Sequence, residues 1–539
     1  MDRTGTFSLL FPVGEYEYFT LSETTANDLS LDYIIENLTS MSSEQSVLQK
    51  ILMKMPISKP VIQYRQAIYQ DLKNVPEICG NLCEIFKEMQ FYSSVKTRSV
   101  DNKSSIWDFI SRLKELENYC LSIIKIKKIL SGHSFQSEGM KQFSTFIDTI
   151  YNDSGFHELS EDIKNLGKDV SSIKSMTLGV NFNSDFYPDE VGIISMNEYY
   201  FREQGVLERF IGFHKKRTPS DKNLTSYAML THPHKGSVSE SPLMNNLANI
   251  VERMLPDVTQ KLKRILKKYT DTSGLTLARL ADEFLFYERF IKLERKISEC
   301  ANPCCMAEFS DDDTWLSDFY NVKLAICRIK GTINHNVVCN ELEFTNEKNI
   351  MILTGPNRGG KTIFTQGIGL AFLLFQHGVF VPCRKGKMRI CDGIYTHFPA
   401  DENATVSLGR LGEEAQRFNE ICKTATSESL LLFNESFATT SHTESIYIAT
   451  DVLKYLCCLG ARICFNTHIH ELAENADKFS SSNQSVCGAV SVVMGCENGE
   501  RSYKIFYKKP DSKSYAHDIA YKYGITFEQL CKNIYSPPF

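Results

Sequence analysis

No stretch of this 539-residue chain is apolar for long enough to span a bilayer. The most apolar helical run, Gly367 to Phe375, is interrupted by Gln376 and His377. Met1 to Tyr18 lacks a basic segment followed by an apolar core, so an export signal is not expected either. The chain carries no strong excess of charge: its net charge of -5 makes no global case for nucleic-acid binding, which would have to rest on local basic patches. Internal repeats and low-complexity tracts are also missing. The 17 cysteines are scattered and odd in number, and without an export signal they read as reduced thiols of a cytoplasmic protein. Cys300, Cys304 and Cys305 cluster without a second metal-like pair, so thiols are favoured there over a zinc site.

What is present is ordinary globular composition, 42% hydrophobic and 23% charged, and enough length for two to four domains. Leu29 to about Val170 is mostly helical in pattern, broken at Pro56 and Pro60. Ser175 to Phe182 and Gly192 to Met196 read as short strands. A polar loop follows, running from His214 to Pro242. Met244 to Cys300 returns to long helices, with Pro256 a kink or break. Lys261, Lys263, Arg264, Lys267 and Lys268 make one of these helices the most basic in the chain. It suits either a nucleic-acid backbone or a solvated helix face. From Met351 to about Phe527 strands and helices alternate, and Asn498-Gly499 between apolar runs predicts a hairpin turn. The expected fold class is therefore α plus α/β, divided into a helical part (1–317) and a nucleotide domain (318–539).

The chemistry concentrates in that second part. Gly355-Pro356-Asn357-Arg358-Gly359-Gly360-Lys361-Thr362 fits G-x-x-x-x-G-K-[ST], the loop that cradles nucleotide phosphates. A buried-strand run, Ile350 to Leu353, precedes it, and a helix from Thr362 follows. The glycines allow backbone N–H groups to approach phosphate oxygens, Lys361 supplies a cation to the β- and γ-phosphates, and the Thr362 hydroxyl suits Mg²⁺. A second apolar strand, Ser429 to Phe433, ends in Asn434-Glu435. Glu435 is placed to polarise an attacking water, and Asn434 stands at the metal-supporting position with a neutral amide. A third strand ends in Asn466-Thr467-His468, where His468 can sense the γ-phosphate or orient the water. Ser407, Gly409 and Arg410 precede a helix expected from about Gly412 and could meet a phosphate there.

The order and wording of these motifs resemble the ATPase domain of the MutS family. Thr354 to Thr362 is similar to that family's TGPNMGGKST loop, Gly378 to Cys383 to its GSYVPA segment, Ser429 to Glu435 to its SLVLxDE strand, and Thr467 to Leu472 to its THxxEL motif. The resemblance implies an ABC-type P-loop ATPase domain after helical core, lever and clamp regions. It implies ATP and Mg²⁺ as ligands, slow hydrolysis, a homodimer with shared nucleotide sites, and a trans-acting signature loop around Ser407 to Glu414. It further implies clamping of branched or irregular DNA in repair or recombination, with repair proteins as possible partners. A protein-interaction switch gated by ATP, without DNA, is the rival expectation. Departures are legible too. Asn434 replaces the family Asp, Arg358 a common Met, and Val337 a Phe that lies against adenine in many members. Gly409 to Glu414 differs from the family's STFMVE. No G-x-F-Y-E wedge is found, and the part before the phosphate loop is too short for mismatch-reading and connector domains, so direct mismatch recognition is not expected.

Overall fold

In the computed structural model all residues are described except 1–6, 94–104, 172–173, 183, 186–187, 201–250, 254, 270–271, 273–274, 357, 400–409, 439–440, 480–484, 498–499, 511–520, 522 and 536–539. The chain divides into two compact units. One comprises Met1–Asn81, Phe135–Lys141 and Asp282–Phe539; the other comprises Leu82–Ser134 and Gln142–Ala281.

The first unit is built on a six-stranded sheet. In spatial order its strands are Ile394–His397, Leu430–Asn434, Arg462–Asn466, Ile350–Thr354, Ala489–Glu497 and Glu500–Phe506. The first five run parallel and the last is an antiparallel edge. Ile350–Thr354, Leu430–Asn434 and Arg462–Asn466 are buried along their whole length. That explains why they read as continuous apolar runs rather than alternating ones: parallel strands are covered on both faces. On one face Ile350, Ile352, Leu431, Phe433, Ile463 and Phe465 pack with Leu453 and Leu456 of the helix His442–Leu459. On the other lies the helix Lys361–Gln376, whose Gly369 sits so close that a Cβ there would be 2.8 Å from Leu432.

A second sheet in this unit has the order Glu308–Phe309, Lys385–Met388, Thr314–Phe319, Asn340–Phe344. The N-terminal segment is anchored by buried polar groups. Arg65, on the helix Lys59–Asn74, donates from Nε to the Leu10 carbonyl at 2.7 Å, and its guanidinium meets His377 Nδ1 at 3.1 Å. His377 Nε2 in turn lies 3.1 Å from the Leu52 carbonyl. The imidazole is therefore neutral, donating from Nε2 and accepting at Nδ1.

The second unit is mainly helical. Ile106–Leu130 opens with a reciprocal cap between Ser105 and Asp108 and packs with Ser154–Ser171 and Pro256–Lys268. Proline occupies the first turn of the last helix, so Pro256 starts it instead of kinking a longer one. Leu262, Leu266 and Tyr269 are its buried stripe. The strands Ser175–Phe182 and Pro188–Asn197 form an antiparallel hairpin, the second longer than its apolar core suggested. The polar loop 214–242 lies outside the described residues. No described helix is long and apolar enough to cross a membrane.

Candidate nucleotide site

Parallel pairing brings the carboxyl ends of three strands to one edge of the sheet. Asn434 is the register partner of Asn466, and Asn466 of Leu353. The loop after Thr354, the pair Asn434-Glu435 and the run Asn466-Thr467-His468 therefore meet, although they are far apart in sequence.

The loop itself needs glycine. Gly355 has φ +142° and a Cβ there would lie 2.7 Å from Met494 Cβ; Gly360 has φ +97° and caps the helix that follows. Lys361 is the first residue of that helix and is buried. Its ammonium donates to the carbonyls of Gly355 at 3.1 Å and Pro356 at 3.4 Å. Burial pulls the Lys361 pKa below its ordinary range, against the opposing charge of Glu435. The Thr362 hydroxyl donates to the Asn434 amide oxygen at 2.9 Å.

Glu435 stands just past the strand in the left-handed region, φ +53°, a strained conformation for a non-glycine residue. His468 Nε2 donates to its carboxylate at 2.6 Å. That hydrogen bond is the main reason the Glu435 carboxyl is held below the usual carboxylate range; burial opposes it, and the charges of His468 and Lys361 add to it. Gly359, Gly360, Lys361, Thr362 and Glu435 line one wall of a cleft of about 360 Å³. Tyr320, His335, Val337, Asn340 and Tyr503 are among the residues that line the rest. The oxygens of Thr362 and Asn434 are hard donors of the kind Mg²⁺ takes, so the set fits that ion. Among the described residues no group of three or more His, Cys, Asp and Glu is placed to hold a metal ion.

Comparison with known proteins gives the same direction. The family model described as MutS domain V matches residues 351–530, and the MutS2 N-terminal domain matches 58–300. The chain is 26% identical over 516 residues to the DNA mismatch repair protein MutS of Clostridium botulinum (strain Langeland), covering 87% of this chain and 53% of that protein. It is 30% identical over 197 residues to Endonuclease MutS2 of Staphylococcus epidermidis (strain RP62A), covering 36% of this chain and 24% of the relative.

The chain belongs to the MutS family. It spans about half the length of the MutS proteins it matches.

Within that frame, the residues read from the sequence divide in two. Lys361, Thr362, Asn434, Glu435 and His468 lie together with Gly355, Pro356, Arg358, Gly359 and Gly360 around one loop. Asn357, Ser407 and Gly409 fall outside the described residues, and Arg410 is described only as the first residue of the helix Arg410–Thr424. That helix starts two residues earlier than its apolar spacing suggested.

Three contributors escaped sequence reading. His397 ends its strand buried, with Nδ1 2.7 Å from the Ser436 hydroxyl and Nε2 3.0 Å from the Glu414 carbonyl. The Glu414 carboxylate accepts from the Phe437 amide at 2.6 Å. The turn after Glu435 is thus tied to the first turns of the helix Arg410–Thr424. Tyr503 enters the cleft from the edge strand, held by Asn340, whose side chain donates to the Tyr503 carbonyl at 3.2 Å and accepts from Ile505 N at 2.8 Å. Asn466, wholly buried, donates to Asn434. Only the last had a legible signal, since a polar residue closing a run of buried strand residues calls for a partner.

Proposed function

We propose that this chain binds ATP with Mg²⁺, hydrolyses it slowly, and uses the cycle to clamp branched or irregular DNA in repair or recombination. Residues 1–317 would form the helical core and clamp, and 318–539 the ABC-type ATPase domain. The observation that carries the reading is that Lys361, Thr362 and Glu435 line one cleft beside a glycine-shaped loop, with Asn434 hydrogen-bonded to Thr362 and His468 to Glu435.

In this reading the loop amides and Lys361 take the β- and γ-phosphates, leaving the Gly355 and Pro356 carbonyls that the ammonium now faces. Thr362 and Asn434 would hold the Mg²⁺, which would supply charge neutralisation to the phosphates. Glu435, kept ionised and aimed by His468, orients the attacking water. Tyr503 and His335 give the base an aromatic wall where Val337 offers only an aliphatic one. Ser407, Gly409 and Arg410 would act in trans across a homodimer.

The test is ATP turnover with and without duplex, mismatched and four-way-junction DNA, with Lys361→Ala as control. Turnover that depends on Lys361 and responds to one DNA structure is the expected result. Turnover indifferent to every DNA would favour a protein-interaction switch gated by ATP. One observation speaks for that second reading: on the basic helix, Lys268 is already paired with Glu158 and lies 3.5 Å from Asp162.

A further inference from the structure

Asn434 poses a problem that an Asp in its place would not. A carboxylate offers a metal shell two equivalent oxygens, whereas an amide offers an acceptor at one end and a donor at the other. Turned the wrong way, Asn434 would aim N–H groups where Mg²⁺ and its waters need oxygen. Something must fix which end faces Thr362.

We propose that Asn466 is that positioning residue: it orients the Asn434 amide so that its oxygen faces Thr362 and the divalent cation that accompanies nucleotide. The proposal rests on the nucleotide-site reading above. Four observations carry it. The two residues are register partners at the ends of adjacent parallel strands, so their side chains leave the sheet on the same face. Asn466 Nδ2 donates to Asn434 Oδ1, the same oxygen that accepts from the Thr362 hydroxyl at 2.9 Å. Two donors converging on one atom define the amide's direction. Asn466 is wholly buried, which rules out a solvent-facing role. Finally, Asn466 Oδ1 is buried without a hydrogen-bond partner in the described structure. An apolar side chain would fill this position without that cost, so packing alone does not account for an asparagine here.

The pair also has a second self-consistent arrangement. With both amides turned over, Asn434 Nδ2 would donate to Asn466 Oδ1 and present N–H to the Thr362 hydroxyl. The orphaned acceptor then gains a partner, but Asn466 Nδ2 takes the partnerless place and the metal side is lost. A cation therefore selects the first arrangement, and Asn466 makes both arrangements discrete. The consequence is a divalent-ion dependence of nucleotide binding that is set by residue 466 through residue 434.

The experiment is a fluorescent ATP analogue titrated onto the full chain in EDTA and across a MgCl₂ series, with melting temperatures recorded for every variant. Asn466→Ala should cut the MgCl₂-dependent gain in affinity about fivefold, the worth of one hydrogen bond, and leave the EDTA affinity unchanged. Asn466→Asp is isosteric but can only accept, so it should hold Asn434 turned over and cut the gain further, by about tenfold or more. In the Asn434→Asp background, Asn466→Ala should change the MgCl₂ dependence less than twofold, because a carboxylate has no wrong end. Equal losses from Asn466→Ala in both backgrounds, or no change in either, would overturn the proposal while leaving the nucleotide site intact. Failure of the unaltered chain to bind the analogue with or without MgCl₂ would overturn the nucleotide-site reading and this proposal with it.

Discussion

Single side chains decide how the site responds to pH and charge. The Lys361 ammonium donates to the loop carbonyls, and a hydrogen bond to a charged group is worth about 1.5–3 kcal/mol. Lys361→Ala should therefore weaken ATP binding by roughly tenfold or more, measured by calorimetry on folded protein. Asn434→Asp should raise turnover if the neutral amide limits metal support; unchanged steady-state rates would dismiss that idea. His397 and His377 act through stability. Burial, chiefly, pushes their pKa values down, to about 4 for His397 and about 3 for His377. Both lie below the unfolded value of about 6.5. Between those limits the unfolded chain binds the proton and the folded chain does not, so stability falls as pH drops below about 6.5. From pH 7 to 5 each histidine should remove roughly 1–2 kcal/mol. Urea unfolding at the two pH values, compared between the unaltered chain and His397→Gln, reads this directly. An equal pH dependence in both would contradict the buried, neutral assignment.

At the scale of elements, short terminal features hold the frame around the site. The helix His442–Leu459 begins at Ser441, whose side chain accepts from Glu444 N, and stops at Gly460 with φ +75°. Ser441→Ala should cost about 1 kcal/mol, seen as a lower melting temperature. Gly460→Ala should cost more, since the new Cβ would meet Val486 Cγ2 at 2.8 Å on backbone that disfavours L-residues. Such boundaries are local features, because caps and stops act over three or four neighbouring residues. The turn Asn498-Gly499 falls outside the described residues, but the strands on either side of it pair antiparallel, as a hairpin requires. Less legible were the second sheet, whose strands Lys385–Met388 and Thr314–Phe319 pair across a long stretch of chain, and the edge-strand position of Tyr503. Neither carries a local periodicity that names its partner.

For the whole molecule the proposals concern association. If the cycle depends on nucleotide sites shared between two copies, Glu435→Gln should trap a dimer in the presence of ATP, visible by analytical ultracentrifugation. A monomer under those conditions would argue against shared sites. If DNA is gripped through its backbone, affinity should fall steeply and log-linearly with salt, with a slope near -0.9 per phosphate neutralised. A flat salt dependence would turn attention to a protein partner, consistent with a net charge of -5.

By itself the sequence determined what is local or ordered along the chain. The phosphate loop, the apolar strands, the helix caps and the order of the MutS-like motifs all follow from contiguous residues, because turn chemistry and burial on both faces act through near neighbours. Tertiary structure alone decided who meets whom. Parallel register set Asn434 beside Asn466, strand order brought His468 to Glu435, and burial made His397 the tie between the turn at Ser436 and the helix at Glu414. Those contacts join residues tens of positions apart, and their energy depends on exclusion of water by the whole core, which no local pattern records.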